Sequence, residues 1–129
     1  MTRVYKVVRR APQGLFSATV LARQYRFACV RYEPGKWTRP RIGKLFAFET
    51  LESAQRFCRD LLARQRYEIW EAEAENSRNR EFMCIILHLT KRALLKFWKK
   101  PGAVPTGLYA PGGTVLCDAI KLVRRVAVV

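Results

Sequence analysis

Short β-branched and alternating stretches dominate the apolar pattern of this chain, and one stretch carries a clear helical period. Val4–Val8 is a β-branched run and predicts a strand, followed by the turn signal Ala11-Pro-Gln-Gly14. Phe16–Ala22 and Tyr25–Tyr32 predict two more strands. In the second, Tyr25, Phe27 and Cys29 share one face, with Arg26, Ala28 and Val30 on the other. Glu33-Pro-Gly-Lys36 fits a type II turn, because proline pre-sets φ at its second position and glycine accepts a positive φ at its third. Thr38–Lys44 reads as an exposed basic loop and Leu45–Phe48 as a short apolar strand.

The helical period falls on Thr50–Arg64. Leu51, Ala54, Phe57, Cys58, Leu61 and Leu62 line one face, and Glu52, Gln55, Arg56, Arg59 and Asp60 the other. Thr50 suits an N-cap, Glu52 the first turn, and Arg59 and Arg64 the C-terminal end. Tyr67–Glu75 then alternates, with Trp70, Ala72 and Ala74 opposed to Glu71, Glu73 and Glu75, as in a half-buried strand. Asn76–Arg80 reads as a polar turn. Glu81–Leu89 is an apolar strand suited to a hairpin with the strand before it.

Thr90–Lys100 allows a second, short helix over 90–100, ended by Pro101-Gly102. The proline- and glycine-rich stretch 101–113 predicts an irregular loop, and Thr114–Val129 one or two closing strands. Strands outnumber helices and follow one another closely. The expected fold class is α+β: a mainly antiparallel sheet packed by one principal helix, about 50–64, in a single basic domain over 1–129.

Composition adds a strong charge bias. The 129 residues hold 25 Lys/Arg against 10 Asp/Glu, a formal charge of +15. Residues 1–44 carry eleven basic residues and one acid, 45–75 four and seven, and 76–129 ten and two. Internal pairing with the acidic middle cannot absorb this surplus, so part of it faces solvent, counterions or a partner. The cations with interleaved aromatic residues concentrate between Arg23 and Lys44. Arg23, Arg26, Arg31, Lys36, Arg39, Arg41 and Lys44 are the candidate contacts to a polyanion or acidic partner. The aromatic residues among them read first as core, since strand alternation explains their spacing.

Other chemistry has weaker support. Cys29, Cys58, Cys84 and Cys117 lie in apolar surroundings without a CxxC pair, and His88 is the single histidine. That spacing does not suit a zinc site, and buried free thiols in a reducing compartment are expected. No apolar run is long enough for a membrane span, and the first ten residues lack the apolar core of a secretory leader, so no secretion is expected. Glu71, Glu73 and Glu75 suggest charge matching on a solvent face before acid/base catalysis. Neither a GxGxxG nor a Walker phosphate loop occurs. No cofactor, metal or small-molecule substrate is expected. The basic, amphipathic segment 90–100 reads as packed on the sheet and not as a membrane anchor.

Several phrases carry a resemblance: Val4-Tyr-Lys-Val-Val-Arg9, Tyr32-Glu-Pro-Gly-Lys-Trp37, Leu45-Phe-Ala-Phe-Glu-Thr-Leu-Glu52 continuing to Phe57, Glu68-Ile-Trp-Glu-Ala-Glu73 and Gly113-Thr-Val-Leu-Cys-Asp118. Together they resemble uncharacterised small α+β proteins of phages and large DNA viruses, over most of the chain outside roughly 78–112. More loosely, the order of strand, TLExAxxF helix and acidic strand is similar to domains related to ADP-ribosyltransferases. No activity follows from that second likeness, because no glutamate with its nicotinamide-pocket partners matches residue by residue.

The resemblance implies a viral setting, in a virion or the host-cell cytoplasm. The leading expectation is a non-enzymatic structural or interaction protein, a minor capsid-associated virion component that contacts other proteins of a large assembly or packaged nucleic acid through its basic surface. The alternatives are a soluble accessory protein binding DNA or RNA, and an ADP-ribosyltransferase-like enzyme.

Overall fold

The computed structural model describes residues 2–18, 29–41, 43–60, 66–79, 83–85, 92, 108–109 and 112–129. Three ten-residue strands form its centre: β1 (Thr2–Ala11), β6 (Arg66–Glu75) and β11 (Ala119–Val128). Between β1 and β6 lie β2 (Gly14–Ser17), β3 (Arg31–Tyr32), β4 (Trp37–Thr38), β5 (Leu45–Phe48) and the helix α1 (Leu51–Asp60). Then come β7 (Arg78–Asn79), β8 (Met83–Ile85), β9 (Leu108–Tyr109) and β10 (Thr114–Cys117). The described elements are strand-dominated α+β, with antiparallel pairing throughout and one helix.

β6 is the middle of the trio. It pairs with β1 from Thr2↔Ala74 to Arg10↔Arg66, and with β11 from Ala119↔Glu75 to Val128↔Glu68. The far side of β1 is shared by β5, at Tyr5↔Phe48, and β2, over Val8–Ala11. β5 continues to β10 and β7, and β2 continues to β3. β4 pairs with the free side of β11. Thus β3 and β4 lie towards opposite margins of the sheet, yet only residues 33–36 separate them. The Gly35 N–H donates to the Leu122 carbonyl at 2.9 Å and Lys36 N–H to Glu33 O at 3.1 Å. So short a link requires the sheet to wrap on itself. Gly35 has φ +82°, as the type II turn requires.

Wrapping gives the sheet an inward face. Val4, Val8, Leu15, Tyr32, Ala47, Ala72, Ala74, Cys117, Ile120 and Leu122 pack together there. The outward face of β1 and β6 carries a second cluster, in which Val7, Phe48, Tyr67 and Ile69 meet Ala54 and Cys58 of α1. Thr50 caps the helix as its sequence position predicts, its hydroxyl accepting from Ser53 N–H at 3.1 Å. The described helix ends at Asp60, and 61–64 lie outside the described residues, as does the expected second helix over 90–100 apart from Arg92.

Several expectations change. β6 is not half-buried: Tyr67 and Ile69 lie under α1 while Ala72 and Ala74 face inward, and Glu68 and Glu71 are buried as well. Its neighbours are β1 and β11, so the expected hairpin between it and the 81–89 segment does not form. The described part of that segment, β8, pairs with β9 in a separate two-stranded sheet, which also places a short strand inside the expected 101–113 loop. The expected turn at 76–80 contains β7, which extends the sheet beyond β10. Asp118 alone separates β10 from β11, so the closing segment is two strands.

Candidate functional site

The long central strands place four carboxylates at the middle of the charge pattern. Glu68 lies on the inward side of β6. Arg10 Nε and Nη2 donate to its two oxygens at 2.8 and 3.1 Å, Trp70 Nε1 donates at 2.9 Å, and Arg125 lies 3.8 Å away. Burial pushes the Glu68 carboxyl up, but the hydrogen bonds from Arg10 and Trp70 and the charges of Arg10 and Arg125 outweigh it, so the net direction is below the usual carboxylate range.

Glu71, on the opposite side, accepts from Arg124 at 2.8 Å and from Arg3, and those hydrogen bonds hold its carboxyl low. Glu73 pairs with Lys121 at 3.2 Å and Glu75 with Arg39 at 3.1 Å. The alternating glutamates of β6 are therefore partners for cations on β1, β11 and the loop after β4. Among the described residues, no group of His, Cys, Asp and Glu is placed to hold a metal ion.

The predicted cationic contacts that lie among the described residues do not form one patch. Lys36 pairs with Glu33 at 3.0 Å inside the 33–36 turn, which hydrogen bonds hold against β11. Arg39 and Lys44 converge on one end of the sheet, where Arg39 meets Glu75 and Lys44 meets Asp118. Asn76 also donates to Asp118 at 2.8 Å, and Asp118 N–H donates to Glu75 O at 2.9 Å. Arg41 is exposed, and Arg31 projects from β3 on the other side of the turn. Arg23 and Arg26 lie outside the described residues, as does His88. Of the aromatic residues, Tyr32 is core as expected, but Trp37 is 38% exposed with Lys121 Nζ 5.3 Å from its ring centroid. An edge strand two residues long leaves one side of the indole uncovered.

Sequence reasoning missed Arg9, which β1 places on the sheet's outward side with its guanidinium 5.3 Å from the Phe16 ring centroid. The Arg9-Arg10 tandem at the end of a β-branched run was the available signal: in a strand its two members must point to opposite faces. Arg10 indeed turns inward to Glu68, whereas Arg9 turns outward to Phe16. Cys58 and Cys117 are buried free thiols, each pushed up to about 11 by burial. Among the described residues, no helix is long and apolar enough to cross a membrane.

In comparisons with known proteins, no protein-family model matches the chain, and neither a curated protein nor a solved structure matches it significantly.

Proposed function

We propose that this protein is a non-enzymatic interaction protein that uses its basic surface to hold nucleic acid within a larger assembly of viral type. One observation carries the reading. The carboxylates Glu33, Glu68, Glu71, Glu73, Glu75 and Asp118 each already hold a cation. Arg9, Arg31, Arg41, Arg56, Arg59 and Arg66 have no carboxylate within 4.0 Å among the described residues. The positive surplus is thus a property of the folded surface, and phosphate groups are its natural complement. The carboxyls of Glu68 and Glu71, held low by their cations, support the non-enzymatic part of the reading, since an acid or base must change its protonation state near the working pH. The viral setting rests on the resemblance in the sequence.

The test is fluorescence anisotropy of the full chain with a labelled twenty-base-pair duplex and one of its strands, titrated across salt. The expected result is binding at physiological salt, with log affinity falling linearly against log salt and a slope that reports several phosphate contacts. Loss of all binding at physiological salt overturns the reading and assigns the charge to acidic protein surfaces.

A further inference from the structure

The register of three strands aligns a row of cations and rings. Arg9 of β1 is opposite Tyr67 of β6 on one side and Phe16 of β2 on the other, and Phe16 is in turn opposite Arg31 of β3. Directly opposed residues of neighbouring antiparallel strands project to the same side. Tyr67, Arg9, Phe16 and Arg31 therefore form one line across four strands on the outward face. Tyr67 is buried under α1, Arg9 and Phe16 are half-buried, and Arg31 is exposed.

The Arg9 guanidinium is 5.3 Å from the Phe16 ring centroid, and its buried Nε has no hydrogen-bond partner among the described residues. The Arg31 guanidinium lies over Gly14, where a Cβ would come within 3.0 Å of its Nε. Gly14 holds φ +137° at the start of β2, so the absence of a side chain there lets the Arg31 head group lie back against the strand, next but one to Phe16. The outcome is a half-exposed ring with a guanidinium on each neighbouring strand, and the row contains no carboxylate. Two further rows of this face hold both aromatic residues and cations, Trp37–Lys121–Glu73–Arg3 and Phe48–Tyr5–Glu71–Arg124, and each includes a glutamate that already pairs with a cation.

We infer that the Arg9–Phe16–Arg31 row is a binding site for single-stranded nucleic acid: an unpaired base stacks on Phe16 while Arg9 and Arg31 contact the phosphates on either side of it. This inference rests on the nucleic-acid reading above and sharpens it, from polyanion contact to recognition of an unpaired strand. Duplex DNA hides its base faces in the stack, so the ring can contribute only when the strand is single. Phosphate contact supplies a salt-dependent term that does not distinguish strand state, and stacking supplies a term that does.

The test uses the full chain and three variants, with labelled oligo(dT), oligo(U) and duplex DNA as probes. Phe16→Leu keeps an apolar side chain and every charge. It is expected to weaken oligo(dT) binding at least about fivefold, leaving the salt slope and the duplex affinity unchanged. Arg9→Gln and Arg31→Gln are each expected to lower the single-strand salt slope by about 0.7. A wild-type protein that binds no probe at physiological salt overturns the nucleic-acid reading itself. A wild-type protein that binds, with a Phe16→Leu variant of equal oligo(dT) affinity and an unchanged circular-dichroism spectrum, overturns this site alone. A folding defect in Phe16→Leu is bypassed by the two arginine variants, whose unaltered slopes likewise refute it.

Discussion

The Lys6 ammonium group lies 5.3 Å from the centroid of the Tyr32 ring, inside the wrap of the sheet. Lys6 is on the same side of β1 as Val4 and Val8, is 8% exposed, and donates to the Phe46 carbonyl at 2.6 Å. Its side chain has no ion pair among the described residues, and the charge effect of Cys117 opposes its burial only in part. A single carbonyl and an aromatic face replace the water that an exposed ammonium would hold, so burial lowers its pKa from 10.5 to about 8.

That depression has a pH signature. Below about pH 8 both folded and unfolded states carry the proton, and the folded state bears the full cost of a buried charge. Between about 8 and 10.5 the unfolded chain binds more protons than the folded one, so the Lys6 contribution to stability improves as pH rises. Relative to wild type, Lys6→Met is therefore expected to be about 2 kcal/mol more favourable at pH 7 than at pH 9.5. Urea unfolding of both proteins at the two pH values measures that difference. Cys58 titrates alike in both proteins and cancels, and a Cys117→Ala background for both removes the thiol that Lys6 influences.

Glu68 makes the opposite prediction on the acid side. Its folded-state pKa is depressed, so the Arg10 and Trp70 bonds contribute in full above the ordinary carboxylate range and are lost as pH falls through the lowered value. Glu68→Gln is expected to cost about 1 kcal/mol at pH 7, because the buried acceptor of the Arg10 and Trp70 bonds loses its charge while Arg10 itself stays solvent-exposed. The cost should shrink towards pH 3. Urea midpoints at pH 7, 5 and 3 check both the size and the trend; a cost that is flat with pH contradicts the assignment.

Two glycines with nearly the same φ should respond differently. Gly35 has φ +82° and nothing within 4 Å of a built Cβ; Gly113 has φ +81°, with Ser53 Oγ 2.3 Å from that position. Gly35→Ala should cost about 1 kcal/mol from backbone strain alone. Gly113→Ala should cost more, since α1 must also move away, and the Glu49 N–H to Gly113 O bond goes with it. Thermal unfolding of the pair separates the conformational cost from the clash.

The helix cap gives a local check. Thr50→Ala removes the acceptor for Ser53 N–H and is expected to cost about 1 kcal/mol, whereas Thr50→Ser retains the hydroxyl and should lie within a few tenths of wild type. Chemical denaturation of the two variants decides it.

Thiol chemistry tests the burial of the two clusters. Cys58, on α1, packs against the outward cluster and Cys117 lies in the wrap, both with raised pKa, while Cys29 is half-buried. In native protein at pH 8, iodoacetamide should label Cys29 well before Cys58 and Cys117, and denaturant should remove the difference. Peptide mapping by mass spectrometry reads the order of labelling.

What the sequence determined by itself was local. The capped helix beginning after Thr50, the 33–36 turn with its positive-φ glycine, the strand Leu45–Phe48 and the strand character of 114–129 follow from propensity, periodicity and turn chemistry, which act within a few residues. The sign and size of the charge were also legible, because they only need counting.

Tertiary structure alone decided the rest, since side-chain alternation says which residues share a face but not which strands lie side by side. The pairing of β6 with β1 and β11 converted an expected solvent face of glutamates into ion-pair partners, with Glu71 buried and Glu73 and Glu75 partly so. The short link between β3 and β4 closed the sheet over Lys6. The register of β1, β2 and β3 set Arg9, Phe16 and Arg31 in one row, although twenty-two positions separate its ends in the chain. Those contacts join residues far apart in sequence, and no local preference encodes them.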